Sequence, residues 1–168
     1  EQERDEAREK EAGRQKEMDF LAFQIDEIDQ ARLVDGEEEE LDKAFRRMSH
    51  ARQMMENITA AHERTGYEGR DAAGDLVGRA LKELDPSEKY EEGVSNLIAQ
   101  LSDIDALLND FNRELAIYQD SLTFDESEYQ ETEQRLNLIE KLKRKYGRDI
   151  SEILSFRDQA GAELEKLS

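Results

Sequence analysis

The sequence predicts an all-α fold, an elongated antiparallel coiled-coil hairpin of about six helices with a short helical tip. Apolar residues recur alternately four and three positions apart over more than four heptads, which is the spacing of a coiled-coil seam. Helix-forming Glu, Leu, Arg, Lys, Gln and Ala dominate the composition, and Gly, Asp and the single Pro lie where apolar stretches end. The predicted seam consists of Tyr90, Val94, Leu97, Leu101, Ile104, Leu108, Phe111, Leu115, Tyr118 and Leu122.

Composition and charge limit what this chain can bind. Charged residues make up 40% and hydrophobic residues 36%, which favours a polar rod with a thin core. The net charge of -19 disfavours whole-surface contact with DNA, RNA or an anionic membrane, because phosphate binding depends on Lys and Arg. We therefore expect any DNA contact to be local and expect no membrane contact. The absence of Cys excludes disulfides and thiolate metal sites, and it fits a reducing compartment.

The N-terminal stretch EQERDEAREKEAGRQKE has no sign of a targeting sequence, because it lacks the apolar segment of a signal peptide. No uninterrupted apolar run in the chain is long enough to span a bilayer. The chain also begins and ends inside helical pattern. We therefore expect a soluble fragment from the interior of a longer protein.

The first helix is predicted over residues 1–33. Its first half is nearly all charged, so we expect that half either to fray or to be held by a partner segment. Val34, Asp35 and Gly36 interrupt the helix, and Gly36 suits a left-handed C-cap. The apolar face of this helix comprises Met18, Leu21, Ile25 and Ile28, with Phe20 and Phe23 flanking it.

The second helix begins at the four glutamates of residues 37–40, where the helix macrodipole favours negative charge. We interpret this acidic run as a helix start rather than a cation site. The helix ends near Thr65, and a glycine-rich tip follows until Asp85 and Pro86, with Pro86 in the first turn of the long seam helix. The apolar face of the second helix is Leu41, Phe45, Met48, Met55 and Ile58, and the short tip helix carries Leu76, Val77, Leu81 and Leu84.

The last third of the chain predicts two more helices. The seam helix ends near Phe124, and Asp125 starts the fifth helix. Gly147 serves as the C-cap of the fifth helix, and Asp149 with Glu152 starts the sixth. The apolar residues of the fifth helix are Tyr129, Leu136, Ile139, Leu142 and Tyr146, and those of the sixth are Ile153, Leu154, Ala160, Leu164 and Leu167.

Matching the helix lengths gives the predicted domain organisation. Residues 1–66 form an outgoing arm with a joint near Gly36, residues 67–86 form the tip, and residues 87–168 form a returning arm with a joint near Phe124. We expect the fourth helix to lie against the second, and the fifth and sixth helices to lie against the first. The hydrophobic tip residues Leu76, Val77 and Leu81 are candidates for self-association or another protein contact.

Two local features bear on function. A carboxylate-bridged metal bundle needs Glu-x-x-His pairs, but Arg47 and Thr59 occupy the required positions before His50 and His62. We therefore predict no metal site. A basic cluster in this acidic chain either complements a helix C-terminus or contacts DNA phosphate or an acidic head surface. This cluster consists of Lys141, Lys143, Arg144, Lys145 and Arg148.

Three segments have the order and spacing of the middle region of the RecN family of bacterial recombination and repair proteins, and the chain resembles that region over most of its length. The first and last segments carry the specific part of the resemblance. It consists of Phe23-Gln24-Ile25 followed by Glu27-Ile28, the Gly-Glu-Glu-Glu-Leu-like joint that begins at Gly36, and the stretch from Lys143 to Gly147. The tip, residues 65–85, matches only loosely. The three segments are LAFQIDEIDQARLVDGEEEEL (residues 21–41), ARQMMENITAA (residues 51–61) and RLNLIEKLKRKYGRDISEIL (residues 135–154).

The resemblance implies that this chain is the coiled-coil arm of a protein similar to the SMC family, in which two flanking halves form an ATP-binding-cassette head. It implies a role in DNA double-strand break repair and recombination, in the bacterial cytoplasm at the nucleoid. It implies ATP and Mg²⁺ as cofactors of the parent protein, with none in this fragment. The partners it implies are the protein's own head, a second arm in a homodimer and a recombinase filament.

These residues do not contain the head. A phosphate-binding loop needs Gly-x-x-x-x-Gly-Lys-Ser/Thr, and none of the nine glycines is followed by Lys. There is no Ser-Gly-Gly signature and no apolar strand ending in Asp-Glu. We therefore expect this fragment not to be an enzyme. Two other function classes stay open, an arm of another SMC-like ATPase and a free-standing scaffold or chaperone-like coiled coil.

Overall fold

The computed structural model covers all residues from Glu1 to Ser168, and its regular elements are all helical. The predicted all-α class with six helices is confirmed. A single 3₁₀ turn, Asp85–Ser87, lies between the third and fourth helices. The helices are α1 (Gln2–Ala31), α2 (Glu37–Thr65), α3 (Ala73–Leu84), α4 (Glu92–Ser121), α5 (Glu126–Tyr146) and α6 (Ile150–Leu167).

The break between α1 and α2 uses a different C-cap from the predicted one. Arg32, at φ 49° and ψ 52°, is the left-handed C-cap and donates its N–H to the Asp29 carbonyl. Gly36 has φ 83° and lies directly before α2. It is the third residue of a turn in which the Glu37 N–H donates a hydrogen bond to the Val34 carbonyl at 3.1 Å. Glycine suits that third turn position because a positive φ strains residues that carry a Cβ.

The break between α5 and α6 follows the predicted capping pattern. Asp149 accepts the N–H of Glu152 at 2.8 Å, and the Glu152 carboxylate accepts the N–H of Arg148 at 2.7 Å. Gly147 follows the last residue of α5, as expected. A Cβ at Gly147 would lie 2.6 Å from the Cβ of Glu152, so the close approach of α6 requires glycine there.

The long helix α4 begins at Glu92, whereas the sequence placed its start at Pro86. Pro86 lies in the 3₁₀ turn Asp85–Ser87, and Tyr90 donates its N–H to the Ser87 carbonyl at 3.0 Å. These bonds span three residues, so the chain forms tight turns here instead of an α-helix. Tyr90, the first predicted seam residue, therefore precedes the helix and is 75% exposed.

The chain divides into two compact units. The first unit combines Glu1–Arg46 with Glu126–Ser168, and the second is the continuous segment Arg47–Asp125. Helix α2 contributes its first turns to the first unit and its remainder to the second. The boundaries at residues 66 and 86 that the sequence predicts both lie within the second unit, and they stay a prediction.

In the first unit, α1 and α6 run antiparallel. Arg14 in the first half of α1 donates to the Leu167 carbonyl at the end of α6. Near the other ends of the two helices, Arg157 donates to both carboxylate oxygens of Asp29, at 2.8 and 3.1 Å. The predicted contact of the sixth helix with the first is therefore present.

Helix α5 divides its contacts between α2 and α1, whereas the sequence placed it against the first helix alone. In the first half of α5, the Tyr129 ring stacks on Phe45 with centroids 4.9 Å apart, and Arg135 binds Glu37. The C-terminal half of α5 joins α1 and α6 in the core. That core consists of Ile28, Ala31, Leu142 and Ile153, with Leu33, Tyr146, Leu154 and Phe156 packed around it.

In the second unit, the C-terminal half of α2 and α4 run antiparallel, as predicted. Gln119 near the end of α4 donates to Thr59 at 3.0 Å, and Asn112, one heptad earlier, bonds Thr65 at the end of α2. The short helix α3 packs on α4. Hydrophobic burial is shallower than in the first unit, because Ala72 is the sole hydrophobic side chain of this unit that is fully buried.

Candidate interaction surfaces

The structure divides the predicted α4 seam into two faces. Leu97, Ile104, Phe111 and Tyr118 face outward and are 46–53% exposed. The inward face instead uses the neighbouring positions one residue later. The inward-facing residues of α4 are Val94, Ile98, Leu101, Asp105, Leu108, Asn112, Leu115 and Gln119, followed by Leu122 just after the helix.

Three polar residues spaced seven apart on α4 hold the inward face in place. Asp105 accepts the Tyr67 hydroxyl, at 3.0 Å on its carbonyl and 3.1 Å on its carboxylate. The Asn112 amide donates to the Leu108 carbonyl at 2.9 Å and to the carbonyl of Thr65, whose hydroxyl donates back at 3.2 Å. Gln119 completes the series, which we call the polar ladder: Asp105, Asn112 and Gln119.

The polar ladder was not predicted, although the sequence contains a signal for it. Asp, Asn and Gln recur at intervals of seven residues, each directly after an apolar seam residue. A prediction from hydrophobic spacing places the apolar residues on the buried face of the helix, because burial of apolar surface usually drives helix packing. The polar ladder faces inward because it has hydrogen-bond partners on α2 and at the tip. These partners are distant from α4 in the sequence.

The tip is built on close backbone contacts. The Gly74 N–H donates to the Gly66 carbonyl at 2.9 Å, and a Cβ at Gly74 would lie 2.6 Å from that oxygen. Of the three residues proposed for tip contacts, Leu76 is the exposed one, whereas Val77 and Leu81 are half-buried. An open groove beside the tip is lined by His62, Glu63, Gly66, Tyr67, Glu68 and Asn112.

The basic cluster of α5 is largely engaged in ion pairs within the first unit. Lys143 binds Glu38 at 2.7 Å, and Lys145 binds Glu27 at 3.0 Å. These contacts cross from α5 to other helices, so the two lysines join helices as well as lying near a helix C-terminus. The glutamate run at residues 37–40 likewise starts α2 and supplies partners for α5.

The other members of the cluster face solvent. The Arg144 side chain is 76% exposed and lies 3.8 Å from Glu140, and Arg148 pairs with the exposed Glu152 at 2.8 Å. Lys141 is also exposed. A contact with DNA or with an acidic surface would therefore use Lys141, Arg144 and Arg148 in preference to Lys143 and Lys145, which pair with glutamates of other helices. This contact stays a prediction.

Glu27 of α1 accepts hydrogen bonds from two side chains of α5. It accepts the Tyr146 hydroxyl at 2.6 Å and the Lys145 ammonium at 3.0 Å. These hydrogen bonds, the Tyr146 one first, lower the pKa of the Glu27 carboxyl. Burial, followed by the hydrogen bond to the charged Glu27, raises the pKa of Tyr146 to about 12. The tyrosine is therefore a firm hydrogen-bond donor at neutral pH.

Two further ion pairs fix helices of the first unit, and the sequence analysis did not identify them. The hydrogen bond from Arg135 lowers the pKa of Glu37, and the hydrogen bond from Arg157 lowers that of Asp29. Each pair joins residues about a hundred or more positions apart in the chain. No local pattern predicts such pairs, because any of the many carboxylates in this chain is an equally plausible partner.

The structure contains no group of three or more His, Asp or Glu side chains arranged to hold a metal ion. No helix combines the length and the apolar content that a bilayer-spanning segment requires.

Comparison with known proteins identifies relatives for most of the chain. No protein-family model matches it. It is 28% identical over 150 residues to the DNA repair protein RecN of Bacillus subtilis and 27% identical over 161 residues to that of Synechocystis. It is 32% identical over 158 residues to the DNA repair protein RecN of Deinococcus radiodurans.

These three alignments cover 89%, 94% and 92% of this chain, respectively. They cover only 26%, 28% and 27% of the relatives. The chain therefore spans about a quarter of the length of the curated relatives it matches. The resemblance identified from the sequence is confirmed over nearly the whole chain.

Proposed function

Because this chain is a RecN-like segment, we propose that it is the coiled-coil arm of a bacterial DNA repair protein. In this proposal the arm joins two halves of an ATPase head outside the segment and presents its tip to protein partners during double-strand break repair and recombination. The supporting observation is similarity to DNA repair proteins RecN from several bacteria over about nine tenths of the chain. The all-helical fold, with antiparallel helix pairs in each unit, is the kind of structure that an arm requires.

A truncation of the parent protein tests the arm function. Arg47–Asp125 is replaced by a short Gly-Ser linker, which can close because Phe45 and Tyr129 stack 4.9 Å apart on the two sides of the cut. We expect the parent to keep its ATP hydrolysis and to lose survival after double-strand breaks. The matched control is full-length protein with Ile117→Gln, a change at one exposed residue of the same unit.

Two results would contradict the arm proposal. Normal survival of the truncated strain would mean that the second unit has no part in repair. Loss of ATP hydrolysis would mean that the second unit belongs to the head rather than to an arm. ATP and Mg²⁺ are proposed as cofactors of the parent head, so the purified 168-residue chain is expected to give no turnover.

The tip is proposed to contact a second arm or a recombinase filament through Leu76, with Val77 and Leu81 behind it. Sedimentation velocity of the 168-residue chain at rising concentration tests the first of these partners. We expect a dimer that Leu76→Glu dissociates, because a buried carboxylate at the contact is unfavourable. A strictly monomeric chain at high concentration would count against the second arm.

We propose that local DNA contact by the parent protein uses the solvent-facing cations Lys141, Arg144 and Arg148. Charge reversal at Arg144 and Arg148 would then weaken DNA binding and reduce its salt dependence, because fewer counterions are released. Arg113→Glu, at an exposed arginine of the second unit, is the control. Unchanged binding by the double variant would leave the cluster with its structural role alone.

The proposed location of the parent protein is the bacterial cytoplasm at the nucleoid, since breaks in chromosomal DNA are its proposed target. A fluorescent fusion is expected to gather on the nucleoid after DNA damage. A fusion that stays evenly distributed after damage would contradict this location.

A further inference from the structure

Helix α4 has a line of exposed apolar side chains along its outer face. Leu97, Ile104, Phe111 and Tyr118 follow one another at intervals of seven residues, and Leu107 lies beside them. Their exposed fractions range from 46% to 69%. Single exposed apolar residues are ordinary, but a continuous line of them marks an interaction site. We call these five residues the α4 stripe.

The fold itself keeps the α4 stripe outward. Each residue of the polar ladder directly follows a stripe residue, so the two lines lie about 100° apart around the helix. Rotating α4 by that angle would bury the stripe, but it would break the contacts of Asp105, Asn112 and Gln119 with Tyr67, Thr65 and Thr59. Polar groups are thus inside and apolar groups outside, which the hydrophobic effect alone would not produce.

The charge beside the α4 stripe is strongly negative. Helix α4 contains six carboxylates against one cation, Arg113. Asp103, Asp110 and Glu114 lie along the edge of the stripe that faces away from the inward seam, by helical geometry. A second copy of α4 would bring acidic flanks together, and like charges across a helix pair are unfavourable. A helix with Lys or Arg beside its apolar line would complement this edge.

We propose that the α4 stripe is the docking surface for a basic amphipathic helix of a partner protein. From Leu97 to Tyr118 the stripe spans 21 residue steps, or about 32 Å of helix. The partner helix therefore needs a matching length, apolar residues at coiled-coil spacing and cations on the flank that meets Asp103, Asp110 and Glu114. This inference depends on the geometry of α4 and not on the proposed repair role.

The test uses the 168-residue chain and two labelled synthetic helical peptides of about four heptads. Both carry Leu and Ile at the a and d positions, while one carries Lys and the other Glu at e and g. Fluorescence anisotropy at about 0.05 M and about 0.3 M NaCl measures binding. We expect the basic peptide to bind at least about tenfold more tightly than the acidic one, with weaker binding at high salt.

Variants assign the binding to the α4 stripe. Ile104→Glu and Phe111→Glu should each weaken binding of the basic peptide by about tenfold or more, because a carboxylate replaces an apolar contact. The matched control is Asn109→Glu, since Asn109 is exposed on the same helix, on the side away from both the stripe and its acidic edge. These positions face solvent, so circular dichroism should find unchanged helicity in all three variants.

Reversal of the acidic edge tests the charge argument separately. The triple variant Asp103→Lys, Asp110→Lys and Glu114→Lys should exchange the preference, binding the acidic peptide more tightly than the basic one. Asp120→Lys, on the opposite side of α4, is the control and should keep the original preference.

Several outcomes would overturn the proposal. They include no binding of the basic peptide, equal binding of the two peptides, and equal loss in the Asn109→Glu control. Sedimentation velocity of the chain without peptide tests whether a second copy of the chain covers the stripe instead. A dimer that Ile104→Glu dissociates and Leu76→Glu does not would mean that a second copy covers the stripe. A monomer, or a dimer sensitive only to Leu76→Glu, agrees with the proposal.

Discussion

The hydroxyl of Tyr146 connects the end of α5 to α1 through the carboxylate of Glu27, at 2.6 Å. The ring of Tyr146 also packs on Phe156 of α6, with centroids 4.9 Å apart. This side chain of α5 therefore contacts two other helices beside the core of the first unit. Its protonation state has a direct effect on stability, because an ionised phenol beside Glu27 would place two negative charges in contact.

We expect the folded chain to lose stability at alkaline pH through ionisation of Tyr146. Its folded-state pKa of about 12 lies above the ordinary 10.0, so its contribution is fully present below pH 10 and is lost as pH rises toward 12. The loss should be on the order of 1 to 2 kcal/mol in the free energy of unfolding, since the ring is only partly buried. Urea unfolding followed by circular dichroism from pH 8 to about 11.5 measures it.

The variant Tyr146→Phe should reduce the dependence of the free energy of unfolding on alkaline pH, while the ring keeps its packing on Phe156. At neutral pH it should cost about 0.5 to 1.5 kcal/mol for the lost hydrogen bond. Tyr118→Phe is the control, because Tyr118 is exposed on α4 and should leave the alkaline loss unchanged. An alkaline slope in Tyr146→Phe equal to that of the parent chain would contradict the assignment.

We expect two substitutions of Asn112 to differ in their effect on the free energy of unfolding. Asn112→Ala should cost about 1 to 3 kcal/mol, because the Thr65 carbonyl loses the amide donor of the buried Asn112 and a gap opens in the seam. Asn112→Leu fills the gap with apolar surface, so it should be less destabilising or even stabilising, at the expense of a fixed register. Urea unfolding of both variants measures this. An equal cost for the two would mean that the amide supplies stability rather than register.

Among the helices, α3 depends on glycine for two unrelated reasons. Gly74, in its first turn, lies against the backbone of Gly66 and the ring of Tyr67. Gly78, one turn later, has no atom within 4 Å of the position of a Cβ. The two glycines therefore provide a matched pair in the same helix.

Gly74→Ala should destabilise the tip, because the new methyl would meet the Gly66 carbonyl at 2.6 Å and the Tyr67 ring at 2.7 Å. Displacing Tyr67 would also break its hydrogen bonds to Asp105, so we expect a loss of about 1 to 3 kcal/mol. Gly78→Ala should instead stabilise the chain by about 0.5 to 1 kcal/mol through helix propensity. Thermal unfolding measures both, and equal melting temperatures would refute the steric argument.

Across the molecule, the two units differ in how deeply they bury apolar side chains. The first unit encloses Ile28, Ile139, Leu142 and Ile153 almost completely. The second holds Leu101, Leu108 and Leu115 of α4 half-buried and relies on the polar ladder for register. Equivalent truncations should therefore have unequal effects in the two units.

Leu142→Ala should cost about 2 to 5 kcal/mol in the free energy of unfolding, as expected for a closed hydrophobic core. Leu108→Ala should cost less, about 1 to 2 kcal/mol, because half-buried Leu108 removes less apolar surface from water. Urea unfolding with a probe in each unit measures the two costs. A loss at Leu108 as large as that at Leu142 would mean that the α4 seam is closed to water.

Local chemistry made most helices and their ends predictable. The apolar faces of α1, α2 and α5, the start of α2 at Glu37 and the cap at Asp149 follow from neighbouring residues in the sequence. The structure differs from the predicted helix ends at two places. Arg32 rather than Gly36 ends α1, and tight turns rather than an α-helix follow Pro86.

The rotation of α4 about its own axis depended on residues far away in the chain. Heptad spacing established that α4 is a seam helix, since any helix with apolar residues every 3.5 positions must present one line to a neighbour. It did not establish which of two adjacent lines faces inward. Thr59, Thr65 and Tyr67 made that choice, because their hydrogen bonds to α4 form only after the helices have packed. The same packing brings Glu27 to Tyr146 and leaves the α4 stripe exposed to solvent.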